Sequence, residues 1–370
     1  MSSIAQGRSV AEQNGGFVTR LRGSAEFVAI PMLAVAMAVA LFSIFLLILG
    51  KSPLEFFDLA WRGGFGSAFS LQNTLLRASP LILAALCVAI PARIGLTIIG
   101  GEGALVLGGF AAAAIALPIA GRLSPAVVMP VMALAAIASG AVWIGIVGAL
   151  RYYRGVNETI SSLLMTYIAI AIMNFFVEGA LRDPASANKP STHPIGAENM
   201  VGHMPGLDIH WGLAAGIVLC IVLHFLMMRT TFGFAARVTG GNARAAQAQG
   251  LPTGMLIIVC CMIAGACAGL AGYFEVAAIQ GQANASLIAG YGFTGILVSF
   301  LARHNTIAII PVAILFGGMA AAGGIIQRRM GLPDATVQVL QSLIFLVLLT
   351  SETLYGRFDI FKPDGGGERT

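Results

Sequence analysis

Residues 255–275 read MLIIVCCMIAGACAGLAGYFE. The stretch carries no charge until Glu275 at its end, and it is long enough to cross the ~30 Å hydrocarbon core of a bilayer as a helix. Residues 211–228, WGLAAGIVLCIVLHFLMM, form a second such run upstream. Between the two lies a polar interval, 229–254, RTTFGFAARVTGGNARAAQAQGLPTG, with Arg229, Arg237 and Arg244 spread through it. Gly240-Gly241 is expected to turn the chain there. Asn242 is placed to cap the helix that follows, Gly250 fits the position just past its end, and Pro252 bars continuation. That helix, residues 243–249, is only about 10 Å long at ~1.5 Å per residue. Two readings are open for the interval: a solvated loop, or a small Ala-rich face around Ala245 and Ala246 that docks into a groove on another protein.

The pattern repeats along the chain. Hydrophobic residues make up 58% of the sequence and charged ones only 10%, and the mean hydropathy is +0.88, which a soluble core does not explain. Further apolar runs at 27–49, 71–92, 103–120, 125–150, 160–180, 285–302, 306–324 and 335–354 bring the expected total to about ten helices. The expected fold is therefore all-α, a polytopic transmembrane helical bundle. Residues 1–25 form a basic tail, 26–355 the transmembrane domain and 356–370 a second tail, while 54–70 reads as an interfacial segment. The abundant Gly and Ala within the runs allow helices to approach closely. All five cysteines lie in apolar runs without metal-ligand spacing and read as small packing residues.

Basic residues set the orientation. With the N-terminus in the cytoplasm, thirteen of the 21 Lys and Arg residues fall inside, seven outside, and Arg77 within a span. This satisfies the positive-inside rule. The interval 229–254 is then cytoplasmic, the Pro-containing loop 181–210 is external, and both termini are cytoplasmic. The net charge of +5 reflects this topology and is no argument for nucleic-acid binding.

Polar groups at membrane depth carry the functional reading. Residues 93–103, RIGLTIIGGEG, join two spans with almost no polar connection. The glycines allow a broken or re-entrant segment with Glu102 near backbone amides; alternatively, Glu102 only caps the following helix through its dipole. The run GVNETISSLLMTYIAIAIMN, 155–174, places Glu158, Ser162, Thr166 and Asn174 at multiples of four. With Asn157 they form a stripe that either packs helices or faces a wet cavity. Gln72 and Asn73, Glu275 with Gln280 and Gln282, and Gln338 with Gln341 add similar groups. Gly108-Gly109 followed by Phe-Ala-Ala-Ala is echoed faintly by Gly317-Gly318 followed by Met-Ala-Ala-Ala.

Catalytic signatures are missing. Gly50-Lys51-Ser52 looks like the end of a phosphate loop, but Phe45 stands where its first Gly belongs and no strand precedes it. Neither a Gly-x-Ser-x-Gly elbow nor a His-Glu-x-x-His pair is present. His193, His203 and His210 share the outer loop without zinc-like spacing. An intramembrane enzyme would need a nucleophile–base pair or a metal cluster. An ion-coupled secondary transporter would need buried carboxylates, for which Glu102 and Glu275 are the candidates.

Four stretches together resemble a known family, the permease subunits of bacterial ABC importers, in the branch associated with nucleosides and simple sugars. RIGLTIIGGEGALVLGG is similar to the family's Asn-Ile-Gly-x-Glu-Gly-Gln signature, and GVNETISSLLMTYIA to its Asn-Glu-x-Ile-Ser motif. GFAARVTGGNARAAQAQGLP resembles the cytoplasmic coupling segment, and MIAGACAGLAGYFEV the helix after it. The chain departs from the pattern at Thr97-Ile98, Ala104 and Thr166. The resemblance implies a multi-pass protein of the bacterial inner membrane working by alternating access. Two cytoplasmic ATPase subunits would supply ATP hydrolysis, so this chain would be no enzyme and need no cofactor. A second permease, identical or paralogous, would complete the pathway, and an extracytoplasmic binding protein would deliver solute. Asn73, Glu102, Asn157, Glu158, Ser162, Thr166 and Asn174 would then line the pathway. Gly241, Asn242, Ala245, Ala246 and Gly250 would form the coupling site.

Overall fold

The computed structural model describes residues 32–186 and 188–351. The two tails, 1–25 and 356–370, lie outside the described residues, as does the start of the first apolar run. The described chain is helical, with three isolated β-bridges. In order, the helices are α1 (Met32–Ile48), α2 (Pro53–Gly64), α3 (Ala68–Ala92), α4 (Gly101–Ile119), α5 (Pro125–Arg154), α6 (Glu158–Glu178), α7 (Gly212–Arg229), α8 (Thr231–Gly241), α9 (Ala243–Ala248), α10 (Thr253–Phe274), α11 (Tyr291–Leu301), α12 (Ile309–Met330) and α13 (Ala335–Ser351). Among the described residues, seven helices are long and apolar enough to cross a membrane, or eight if the bent pair α1 and α2 counts as one span. The remaining two expected spans are shorter, Ala285–Leu301 and Ala335–Ser351. Residues 54–70 hold α2 and the start of α3.

The described residues divide into two compact units, 32–56 with 335–351, and 57–334. In the first, Phe42 and Phe56 meet edge to face at 4.9 Å. The second holds the bundle that concerns function.

At the centre of that bundle is α3. Its residues from Ala78 to Pro91 are all buried, as expected for a helix that is apolar all round. It packs against α7, α10, α11 and α12. The outer helices invert the usual soluble pattern: α6 buries Ser161, Ser162 and Thr166 while exposing Ile160, Leu164, Tyr167 and Phe175.

A seam of small residues holds α10 against α5 and α4. A Cβ added at Gly265 would collide with the Gly140 carbonyl oxygen, one at Gly269 with that of Ala136, and one at Gly272 with that of Leu105. Backbones pack directly here, which is how transmembrane helices gain van der Waals contact without a hydrophobic drive. Gly108 approaches Gly269 and Gly317 approaches Thr74 and Ala78, so both glycine runs of the sequence echo are packing contacts. The five cysteines are free and buried.

Two expectations need correction. The interval 229–254 is not one polar loop, because residues 231–241 form α8, and Gly240 and Gly241 end that helix instead of making a turn. Thr230 caps α8, its hydroxyl accepting from the Gly233 N–H at 3.2 Å, and Gly233, Ala236 and Thr239 are buried. Residues 285–302 are likewise not one continuous helix. A short 3₁₀ turn, Ala285–Leu287, is separated from α11 by Gly290, whose φ of 78° lies in the left-handed region that favours glycine.

Candidate functional site

The chain leaves α3 through a turn at 93–95, runs extended through 96–99 and enters α4 at Gly101. This linker is held from two sides. On one side lies α6: the Ile99 N–H donates to Ser162 Oγ at 3.1 Å, and Thr159 Oγ1 donates to the Thr97 carbonyl at 2.9 Å. Thr166 donates to the Ser162 carbonyl at 3.2 Å, and a Cβ at Gly103 would press on Thr166 Cα at 2.7 Å. Of the expected polar stripe, Ser162 holds the linker, with Thr159 beside it. Ser162 and Thr166 are both fully buried, Thr166 against Gly103 of α4. Asn157 is exposed and caps α6, accepting from the Ile160 N–H at 3.0 Å. Glu158 pairs with Arg151 of α5 at 3.2 Å. Asn174, two turns above Thr166, and Asn73, early in α3, are half-buried.

On the other side of the linker stands α8. Gly240 lies so close that a Cβ there would sit 2.5 Å from the Arg93 carbonyl oxygen and 2.9 Å from Ile94 Cα. The Arg93 guanidinium donates at 2.8 Å to the His304 carbonyl, beyond the end of α11. Burial, and then the neighbouring charge of Arg237, lowers Arg93 from its ordinary value.

Glu102 sits in the first turn of α4 and is fully buried. Its two carboxylate oxygens accept from Gly290 N–H at 2.7 Å and Gly292 N–H at 2.6 Å. From the first turn of α4 it thus also caps α11, satisfying two amides that α11 leaves free at its N-terminus. The sequence offered Glu102 and nearby amides; the partner, distant in the chain, had no local signal.

Beyond α8, Asn242 caps α9 by accepting from the Ala245 N–H at 3.0 Å, and Gly250 takes φ 78° just past its end. Gly241 is exposed and does not have positive φ. Ala245 is exposed, but Ala246 is completely buried within the chain itself. Gln247 ties α9 to α10, its amide donating to Thr253 Oγ1 at 2.9 Å.

The loop 181–210 lies over the far end of α10, where Glu275–Gln280 forms a π-turn. Thr192 N–H donates to the Ala283 carbonyl at 2.9 Å and Val201 N–H to that of Ala277 at 2.7 Å. His210 stacks on Phe274 at 5.9 Å and accepts at Nδ1 from the Gly212 N–H at 3.0 Å. Burial, with His203 beside it, pushes His210 down to about 4. Among the described residues no three His, Cys, Asp or Glu side chains come together to hold a metal.

Together these contacts join the 93–100 linker to α6 on one side and to α8 on the other. Comparison with known proteins gives the arrangement a family. The family described as branched-chain amino acid transport system / permease component matches residues 70–349. The glucose ABC transporter permease protein TsgB13 of Haloferax volcanii is 32% identical, over 87% of each chain. The guanosine ABC transporter permease protein NupP of Bacillus subtilis is 29% identical, over 87% of this chain and 93% of its own. The nucleoside ABC transporter permease protein NupB of Lactococcus lactis is 25% identical, over 87% and 90%. The match spans the linker, α6, the α8–α9 segment and Glu102 alike, and this chain belongs to that family of ABC transporter permeases.

Proposed function

We propose that this chain is the membrane half of an importer that carries a nucleoside or a simple sugar, with ATP hydrolysis on separate cytoplasmic subunits. A second permease, identical or paralogous, completes the pathway, and an extracytoplasmic binding protein delivers the solute. The relatives' solutes support the substrate class. The apolar runs support about ten spans, in a bacterial inner membrane, and the distribution of basic residues supports both termini and α8–α9 in the cytoplasm. Orientation is tested with single cysteines at Asn188 and Ala245, both exposed. They should label from opposite sides, and labelling of both from one side would sink the topology.

One observation carries the mechanism: an unbroken chain of contacts from the exposed α9 to the N-terminus of α11. An ATPase seated on α9 displaces α8 along with it. Gly240 then bears directly on the backbone at Arg93 and Ile94, and the linker passes the movement to α4. Glu102 in turn couples α4 to α11. Such a relay needs two discrete arrangements of packed elements, which alternating access supplies.

The experiment is Gly240→Val in the complex reconstituted with ATPase and binding protein. The added side chain must push on backbone atoms, an overpacking cost of about 1–3 kcal/mol. The ATPase should still bind, since α9 is untouched, while its stimulation by loaded binding protein and solute uptake should both fall. Wild-type stimulation and uptake in this variant would remove the relay.

A further inference from the structure

Among the buried polar groups that the relay does not use is a carboxylate, that of Glu275. Glu275 opens the π-turn at the end of α10 and is 3% exposed, and its Oε1 has no hydrogen-bond partner. Burying a carboxylate oxygen without a partner is costly, and such groups in native structures call for an explanation. π-turns inside α-helices occur often at functional sites, and ionisable groups at membrane depth mark solute pathways.

The surroundings narrow what the missing partner is. Glu275 and Tyr291, the first residue of α11, each lie within electrostatic reach of Arg77 and Glu102. Glu102 is already occupied by the amides of Gly290 and Gly292. Arg77 sits in α3 just before its buried run and is itself exposed. A solute of the kind named for the relatives, glucose or guanosine, is neutral and carries adjacent hydroxyls. Its O–H groups donate to a carboxylate, and its oxygens accept from a guanidinium.

We infer that Glu275 and Arg77 form a recognition station for the hydroxyls of a neutral polyhydroxylated solute, Glu275 accepting from them and Arg77 donating to them. This deepens the sugar-or-nucleoside reading and rests on it.

The test is Glu275→Gln in the full reconstituted complex, with radiolabelled guanosine and glucose as probes. Melting temperature of the purified complex is followed in parallel. Removing an unpartnered buried charge should leave the melting temperature unchanged or raise it. Uptake of whichever probe the wild type carries should fall about 10-fold, because the Gln amide oxygen is a neutral and weaker acceptor where the solute passes. Arg77→Gln should lower uptake of the same probe. A lower melting temperature for Glu275→Gln would mark the group as structural, and unchanged uptake would show that no solute uses it; either result overturns the inference. A wild-type complex that carries neither probe overturns the substrate reading itself, and the station with it.

Discussion

Replacing Glu102 by Ala removes the carboxylate that closes the N-terminus of α11. Two hydrogen bonds, at 2.7 and 2.6 Å, disappear together, and both bonded amides lie beside a side chain with no exposure. Leaving a buried donor unsatisfied costs about 1–3 kcal/mol, so two such donors set a range of about 2–6 kcal/mol. Relief of the carboxylate's own desolvation offsets part of this. Glu102→Gln is nearly isosteric and keeps one acceptor, but its NH₂ then faces one of the two amides, for a loss of about 1–3 kcal/mol. The five buried cysteines make the assay. A thiol-reactive dye added to the detergent-solubilised protein reports unfolding as those thiols become accessible on heating. The order of midpoints should be wild type, then Gln, then Ala, and uptake should fall in the same order. Equal midpoints for all three proteins would refute the claim that Glu102 holds α11, and with it the link from α4.

The two alanines of α9 should separate by their surroundings. Ala245→Trp, on the exposed face, should fold normally and weaken ATPase recruitment, whereas Ala246→Trp must displace the chain's own packing and lower thermal stability by about 1–3 kcal/mol. Comparable melting of both, measured with the same dye, would contradict this division. His210 gives a pH dependence with a definite sign. Its folded value of about 4 lies below the unfolded ~6.5, so the unfolded chain binds a proton in that window that the folded chain refuses. Stability is full above pH ~6.5 and declines by about 2 kcal/mol by pH 5. Protection factors at 203–212, which correct for the intrinsic pH dependence of exchange, should fall on acidification and lose that response in His210→Gln; an unaltered response in the variant would assign it elsewhere.

What could be read from the sequence was what local chemistry determines. Asn242 and Gly250 bracket α9 because a side-chain cap and a left-handed residue are local requirements, and the structure has both. Most span limits fall within a few residues of the observed helices for the same reason. Helix α8 was missed because Gly233, Gly240 and Gly241 weigh against a helix, although Thr230 offered a cap. Those glycines are needed for approach: Gly240 to the Arg93 backbone and Gly233 to the end of α7. The α6 stripe was legible as a period but not as a partner. Periodicity says that Ser162 and Thr166 share a face, and only the fold reveals the linker lying against it. The break before α11 and its closure by Glu102 depend on residues far apart in the chain, where no local signal reaches.

The glycine seam has a mechanical consequence. Helices that meet through side chains can shear past one another by small steps, because rotamers absorb the displacement. Where Gly265, Gly269 and Gly272 press on carbonyl oxygens of α5 and α4, no rotamers stand between the backbones to yield. A slide of one residue's rise, ~1.5 Å, would drive main chain into main chain. Helices α4, α5 and α10 must then travel as one body, and deformation falls on the segments that enter and leave it. Two of those, 93–100 and 281–290, carry the extended backbone and the left-handed glycines Gly95, Gly281 and Gly290. In this bundle the stiffness of the seam determines where the hinges lie.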